Sequence, residues 1–372
     1  MNSYTNKESE IPSKDQGICN MESGACTCSE CPSSTRRSFL KQAALGAFFV
    51  SGAQAGAKEK AASEDLRMAS IIDLTLCDGC ANEAIPKCVS ACKEKNRARF
   101  PEPQTPMMDY WPQKKHEDWS SKRGLISRLT PYNWTFVEKL EIDGESVFVP
   151  RRCMHCDDAP CQKLCPFGVI GKSEQGAISI DTEFCLGGAK CRDACPWGIP
   201  QRQAGVGIYL KLAPKFAGGG VMFKCDMCKD LLERGEKPAC EVQCPKNAII
   251  FGNRAEMERE AKRRAEAIGG YIYGMEENGG TSTFYVSKVP FEKIDQKIRS
   301  EKQAANDKRP GRPHMRVKIK NPMEKSENLA LATLIAPFAG IVGAGIAVYK
   351  GRAKEAQKSL ARENVSDNGE TK

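Results

Sequence analysis

Cys153-Met154-His155-Cys156-Asp157-Asp158-Ala159-Pro160-Cys161-Gln162-Lys163-Leu164-Cys165-Pro166 reads C-x2-C-x4-C-x3-C-P. Three closely spaced cysteines can wrap one iron–sulfur cube, and a fourth followed by proline leaves the loop for a different cluster. A motif of this kind needs a second one, and the chain supplies it in Cys185, Cys191 and Cys195-Pro196. Two further groups bracket these: Cys77, Cys80, Cys88 and Cys92 before them, and Cys225, Cys228, Cys240 and Cys244-Pro245 after them.

Joining the first three cysteines of each motif to the fourth of its partner gives definite ligand sets. Cys77, Cys80, Cys88 and Cys244 hold one cluster, and Cys225, Cys228, Cys240 and Cys92 a second. Cys153, Cys156, Cys161 and Cys195 hold a third, which leaves Cys185, Cys191 and Cys165 for the fourth. The second cysteine of that last motif is replaced by Gly188, which offers no ligand. The expectation is three [4Fe–4S] clusters and one [3Fe–4S] cluster. The rival for the last is a [4Fe–4S] cluster with a non-cysteine ligand on its corner iron. Thiolates are the soft ligands such clusters need, and amides within C-x2-C loops can hydrogen-bond to sulfur and tune potential. C-x2-C pairs also make zinc sites, but three C-x3-C-P endings fit clusters better. His155, inside a cysteine loop, either tunes a cluster or fills the loop.

The 372 residues include 19 cysteines and carry a formal charge of +9. Lys308, Arg309, Arg312, Arg316, Lys318, Lys320 and Lys325 crowd a short stretch just before an apolar run. That placement suits lipid headgroups or a solvated linker. No aromatic interleaving supports nucleic-acid binding. Residues 1–57 read as a leader, expected to be cleaved, whose first 35 residues are polar and hold Cys19, Cys26, Cys28 and Cys31, and which has a modest apolar run from Ala43 to Val50. Within it, Ser34-Thr35-Arg36-Arg37-Ser38-Phe39-Leu40-Lys41 resembles a twin-arginine export signal. Small residues suited to cleavage follow at Ala53-Gln54-Ala55 and Ala55-Gly56-Ala57. Export in the folded state would let clusters be built inside the cell, where thiols stay reduced, and used outside it. Cleavage leaves fifteen cysteines, an odd number that no complete disulfide framework absorbs, and one that matches the ligand sets.

Short apolar runs precede each motif: 71–76, 147–149, 177–180 and 221–223. Four strand-then-cysteine-loop units predict an α+β fold with two bacterial-type double-cluster ferredoxin modules, one inserted in the other. Residues 58–92 and 221–252 form the outer module and 147–200 the inserted one. Insertions fill 93–146, which holds Trp111, Trp119 and Trp134, and 201–220. The first either covers the clusters, meets a partner, or is structural padding. Gly205-x-Gly207 lacks the third glycine of a dinucleotide loop. Residues 253–328 hold a helix, a short β segment at 284–286 and the basic linker; Asn253 caps the helix over 254–268, and Gly269-Gly270 closes it.

Leu329 to Tyr349 is apolar, uncharged and 21 residues long, enough to span a bilayer as one C-terminal transmembrane helix. Pro337 is tolerated in such a helix. Small residues at Ala336, Gly340 and Ala344, and at Ala339, Gly343 and Ala347, let another helix approach closely. Both flanks are basic, so charge alone does not orient the span. The export signal puts the cluster domain on the periplasmic side of the cytoplasmic membrane and residues 350–372 in the cytoplasm.

With the leader, four motifs and apolar helix together, the chain resembles the four-cluster ferredoxin-type subunits of membrane-bound oxidoreductases, and within these the HybA-type branch of hydrogenase-2. Residues Tyr273 to Thr281 and Val289-Pro290-Phe291-Glu292 are similar to that branch's segment between clusters and helix. The resemblance implies one-electron relay between a catalytic subunit outside, a [NiFe] hydrogenase first of all, and a quinone- or haem-binding membrane subunit. Formate dehydrogenases and molybdopterin reductases use equivalent subunits. Two departures stand out: motif one is stretched to Cys80-x7-Cys88, and motif three lacks its second cysteine. A self-sufficient iron–sulfur enzyme and a tethered metal scaffold are the competing functions. Against the enzyme, the sequence shows no nickel motif and no nucleotide loop.

Overall fold

In the computed structural model, which describes residues 66–109, 116–212 and 219–367, Met68–Asp73 forms strand β1 and lies inside a four-stranded sheet. After it come helix α1 (Lys87–Asn96) and the hairpin of β2 (Phe136–Ile142) and β3 (Glu145–Arg151). Next are α2 (Pro160–Lys163), β4 (Ile170–Lys172), β5 (Ile178–Ile180), α3 (Lys190–Asp193), β6 (Gln201–Gln203) and α4 (Tyr209–Leu212). Then follow β7 (Val221–Phe223), α5 (Lys229–Leu232), α6 (Ala239–Val242), β8 (Ile249–Asn253) and α7 (Arg254–Ala267). The chain continues through β9 (Tyr271–Tyr273), β10 (Thr283–Ser287), α8 (Phe291–Ala304) and α9 (Ser326–Asp367). Helix and strand are mixed, as expected. The leader with its four cysteines and export signal, and Trp111, lie outside the described residues.

The sheet runs β8-β1-β10-β9, with β1 antiparallel to β8 and parallel to β10. Ile71 sits opposite Ile250 on one side and Phe284 on the other. From Ala69 to Asp73 every residue of β1 is buried, because both faces of this sheet are covered. One face carries Ala69, Ile71, Phe284 and Val286 against Ala261 and Ala265 of α7. The other carries Ile72 and Tyr285 into a larger core that also holds most of the cysteines. α7 begins and ends as its sequence dictates. The Asn253 side chain accepts from the Ala255 amide at 3.0 Å, and Gly270 N–H caps Ala265 C=O beyond Gly269 at φ +57°; a left-handed residue at this place favours glycine.

Three short pairs surround the cysteine loops: β2 with β3, β4 with β5, and β6 with β7. β2 and β3 turn through Asp143-Gly144, both at positive φ, a pair of residues suited to a tight hairpin. The first strand of this hairpin falls in what the sequence reading treats as insertion. β6 and β7 approach so closely that only glycine fits at position 220. There φ is +131°, and an added Cβ would stand 1.7 Å from Gln203 O. Gly220→Ala is therefore expected to cost about 3 kcal/mol or more, seen as a lowered thermal midpoint.

The C-terminal third departs from the sequence reading in two ways. α8 was not foreseen: its buried positions Phe291, Ile294, Asp295 and Ile298 follow a helical period, but they lie among many charges. The basic stretch is not simply a linker. Arg312 pairs with the buried Glu138 of β2, and Met315 is fully buried, so residues 311–315 strap the hairpin. Lys308, Arg309, Arg316, Lys318, Lys320 and Lys325 stay exposed.

α9 contains the whole apolar run and continues through Pro337. Ala332, Ile335, Ala339, Gly343, Ile346 and Lys350 form one half-buried stripe on it. Leu334, Phe338 and Ile341 are about 70% exposed on the remaining surface. Near its start, Asn321 donates to Asp158 at 2.8 Å; near its apolar end, Lys350 meets Asp181 at 2.7 Å. Both ends thus touch the cysteine-bearing part. A run of this length rises about 30 Å, the thickness of a bilayer core. A crossing helix carries its ends to opposite faces, so the expected span requires Lys350 to part from Asp181.

Candidate iron–sulfur centres

Every described cysteine lines one of four cavities. The first is lined by Cys77, Cys80, Cys88 and Cys244; the second by Cys92, Cys225, Cys228 and Cys240. The third is lined by Cys153, Cys156, Cys161 and Cys195, and the fourth by Cys165, Cys185 and Cys191 with Gly188. These are the groups that crossing the motifs puts together. Their volumes are similar, about 330 to 380 Å³, and the three-cysteine cavity is no smaller than the rest. All fifteen thiols are unpaired by disulfides. Among the described residues no three His, Cys, Asp or Glu side chains converge as they would on a single ion. The sulfurs instead ring a space, which suits a cluster better than zinc.

Short helices fix the pairing. α1 carries Cys88 at its start and Cys92 four residues on, and α6 carries Cys240 with Cys244 just beyond it. Residues four apart lie on one helical face, roughly 5–6 Å from each other, so α1 and α6 tie the first cavity to the second. α2 and α3 tie the third to the fourth in the same way, through Cys161 and Cys165 and through Cys191 and Cys195. Pro166, Pro196 and Pro245 follow three of these final cysteines and help end their helices after one turn. Lys93 stands in the equivalent place in motif one, and α1 runs on to Asn96, whose side-chain amide donates to Cys92 O at 2.9 Å. The stretched loop of motif one thus leads into a helix that still presents Cys88 to the first cavity.

The loops bend sharply. Cys80, His155, Ala189, Met227 and Cys228 all have positive φ, uncommon for residues with a side chain. The bends turn amides onto sulfur: Gly187 N–H donates to Cys185 Sγ and Met227 N–H to Cys225 Sγ, both at 3.4 Å. Burial pushes the thiols up, with the neighbouring thiols adding to it. Cys77 and Cys240 reach about 11, Cys161 and Cys228 about 12, and Cys92, Cys156 and Cys191 rise well above their ordinary value. Such thiols become thiolates at neutral pH only with cations among them, which is what cluster iron supplies. Buried polar atoms point the same way. Arg152 lines the second cavity with its guanidinium set against Cys225, and the buried Asn278 side chain is set against Cys156, so each is placed to meet a thiolate. The residues present therefore fit iron–sulfur clusters.

Walls come from segments whose role the sequence left open. Phe148 of the hairpin presses on Gly79, and Val137 and Pro150 line the first cavity. Trp134 lines the second and stacks on Phe223 at 6.3 Å. The segment around Tyr273–Thr281 wraps motif two: Thr281 bridges to Cys156, and Gly280 C=O accepts the Asp157 amide at 2.9 Å. Trp197, which lines the third cavity, donates to Tyr273 Oη at 2.8 Å.

Three side chains at the fourth cavity escaped the sequence reading. Glu117 receives both terminal nitrogens of Arg192 at 2.7 Å and one of Arg202 at 2.6 Å. Arg202 also donates to Gly187 O at 3.0 Å, inside the three-cysteine loop. Burial alone would push Glu117 up; the hydrogen bonds and charges of the two arginines outweigh it and hold its pKa below the ordinary value. Glu117→Ala leaves two largely buried guanidiniums without their shared acid. It is expected to cost about 3 kcal/mol and to release iron from the fourth cavity before the others, followed by EPR during mild denaturation. Arg152 and Lys224 were missed as well, although each directly precedes a cysteine, Cys153 and Cys225.

Residues 76–169 match a family described as a 4Fe-4S dicluster domain, and residues 144–254 match a second family of that description. The chain is 28% identical to the hydrogenase-2 operon protein HybA of Escherichia coli O157:H7 over 303 residues, 70% of this chain and 83% of that protein. It is 30% identical to a sulfite dehydrogenase subunit of Allochromatium vinosum over 212 residues, 55% of this chain and 76% of that protein. It is 28% identical to the iron-sulfur subunit of the nitrate-inducible formate dehydrogenase of Escherichia coli strain K12 over 233 residues, 59% of this chain and 67% of that one.

Proposed function

The chain belongs to the ferredoxin-type 4Fe-4S dicluster subunits that transfer electrons within oxidoreductase complexes without catalysis of their own, and on that premise we propose that it carries single electrons between a periplasmic hydrogenase-type catalytic subunit and a quinone- or haem-binding membrane subunit. The observation that carries this reading is the row of cavities. The first and second share α1 and α6, the third and fourth share α2 and α3, and Cys225 of the second lies 3.7 Å from His155 in the loop of the third. The chain enters α9 beside Asp158, within the loop of the third cavity. The row thus has one end away from the helix and one beside it. We read motifs one and four as an outer module and two and three as a module inserted between them.

The clusters these cysteines would hold, three [4Fe–4S] and one [3Fe–4S], supply reversible one-electron transfer. The chain's own part is to space and insulate them. Trp134, Trp197 and Phe148 close the cavities against water, and the loop amides and buried cations set the charge around the sulfurs. Export through the twin-arginine signal, the helix as a single anchor in the cytoplasmic membrane, and exposed lysines at its start meeting headgroups complete the reading. A tagged chain captured from membranes in mild detergent tests it. Co-purification of a nickel–iron large subunit and a multi-helix membrane protein is the expected result. A molybdopterin subunit would keep the relay and change the substrate. Recovery of the chain alone would remove the support for a relay.

A further inference from the structure

Between the second and third cavities, two parts of the chain distant in sequence meet on one side chain. His155 is fully buried in the loop between Cys153 and Cys156. Its Nδ1 accepts the Ile178 amide of β5 at 3.0 Å. A ring nitrogen that accepts carries no proton, so in the neutral ring the proton is on Nε2. Nε2 lies 3.7 Å from Cys225 Sγ, which lines the next cavity. The Ile178 peptide is used twice, since its carbonyl accepts from the buried Lys224 Nζ. Lys224 Nζ also donates to Cys225 O at 3.0 Å. Arg152 completes the junction, with Nη2 on Ser70 Oγ and its guanidinium set against Cys225 beside the second cavity. On the same loop, Asp226 is turned to Arg99, 2.6 Å away. Cys225 Sγ therefore sits among two N–H donors, His155 Nε2 and the Met227 amide, and two buried cations.

We propose that His155 is a redox-positioning residue: by donating Nε2–H to Cys225 Sγ it raises the reduction potential of the cluster held by Cys92, Cys225, Cys228 and Cys240, and makes that centre the place where an electron rests between the two cluster pairs. The physical reason is the sign of the charge. Reduction adds negative charge that spreads onto the thiolate ligands, so an N–H aimed at one of them stabilises the reduced form more than the oxidised form. Lys224 and Arg152 act in the same direction. The inference rests on the reading that these cysteines hold clusters.

Two substitutions separate the ring nitrogens. In His155→Asn the amide stands near the Nδ1 position, keeps a partner for Ile178 and no longer reaches Cys225. In His155→Gln the longer amide returns a donor to the Nε2 position. Asparagine also tolerates the positive φ found here. The measurement is EPR-monitored potentiometry on the full chain, with pulsed EPR on wild type labelled with 15N-histidine. Only three histidines are present, and His116 and His314 line no described cysteine cavity. The expected result is a histidine nitrogen coupling on a reduced cluster of the wild type. His155→Asn should lose it and bind an electron about tenfold less well at one centre, about 59 mV for a one-electron couple. His155→Gln should recover most of that shift. No histidine coupling in the wild type overturns the inference, as does an unchanged potential in His155→Asn with full iron. If His155→Asn loses iron, the wild-type coupling decides alone. Reduced wild type with no cluster signal at all would instead overturn the cluster reading beneath it.

Discussion

Gly188→Cys is expected to abolish the three-iron EPR signal of the oxidised protein, add one iron per chain and create a fourth four-iron signal on reduction. Gly188 occupies the place of the second cysteine in its loop and lines the fourth cavity. A Cβ added there meets nothing within 4 Å, and its φ is not in the left-handed region, so a side chain is accepted without strain. The position is exposed, so a corner iron held there without a thiolate would face solvent and be readily lost. The new thiolate should also lower the centre's potential, because a fourth anionic ligand disfavours reduction. Iron analysis and EPR of variant and wild type, side by side, check this. A wild type with sixteen iron atoms and no three-iron signal, indistinguishable from the variant, would show that a non-cysteine group already holds the corner.

Removing iron with a chelator under reducing conditions is expected to unfold the larger core and spare the smaller one. Cys88, Cys153, Cys156, Cys165, Cys185, Cys191 and Cys240 belong to the larger core, together with Ile72, Trp134, Val149 and Tyr285. Emptied, their cavities leave buried thiols facing voids, and lost metal ligation is lost folding energy. That loss is comparable with the roughly 5–15 kcal/mol by which a domain is stable at all. The core between the sheet and α7, made of Ala69, Ile71, Ala261, Ala265, Phe284 and Val286, contains no cysteine. Hydrogen exchange should therefore show protection lost through the cysteine loops and the β2–β3 hairpin and kept longest in α7. Uniform retention of protection after iron removal would mean that the thiols pack as ordinary core.

The cysteine motifs made much of the candidate site legible, because a ligand must be a particular residue type at a particular spacing. Gly188 stood out for the same reason. The four strands before the motifs were visible as short apolar runs, and α7 through its Asn253 and glycine ends. What stayed hidden depends on contacts distant in sequence. Glu117 reads as one charge among many until Arg192 and Arg202 close on it, 75 and 85 residues away. Arg312 reads as part of a basic run until it finds Glu138, 174 residues earlier. β2 is different: its Asp143-Gly144 turn is a local signal, obscured by placing a domain boundary two residues later. α8 carries an apolar stripe that its numerous charges mask.

Four short helices each present one sulfur to one cavity and set another, four residues on, in the next, within α1 itself and just past the ends of α2, α3 and α6. That four-residue step, about one helical turn, is the same in all four and ties neighbouring cavities within each pair. Loops outside those helices can lengthen without stretching it. The seven residues between Cys80 and Cys88 are a case: they enlarge the surface at the far end of the row, while Cys88 and Cys92 keep their one-turn interval. A chain built this way is free to rewrite the loops of its surface, and the step that joins the cavities within each pair is kept.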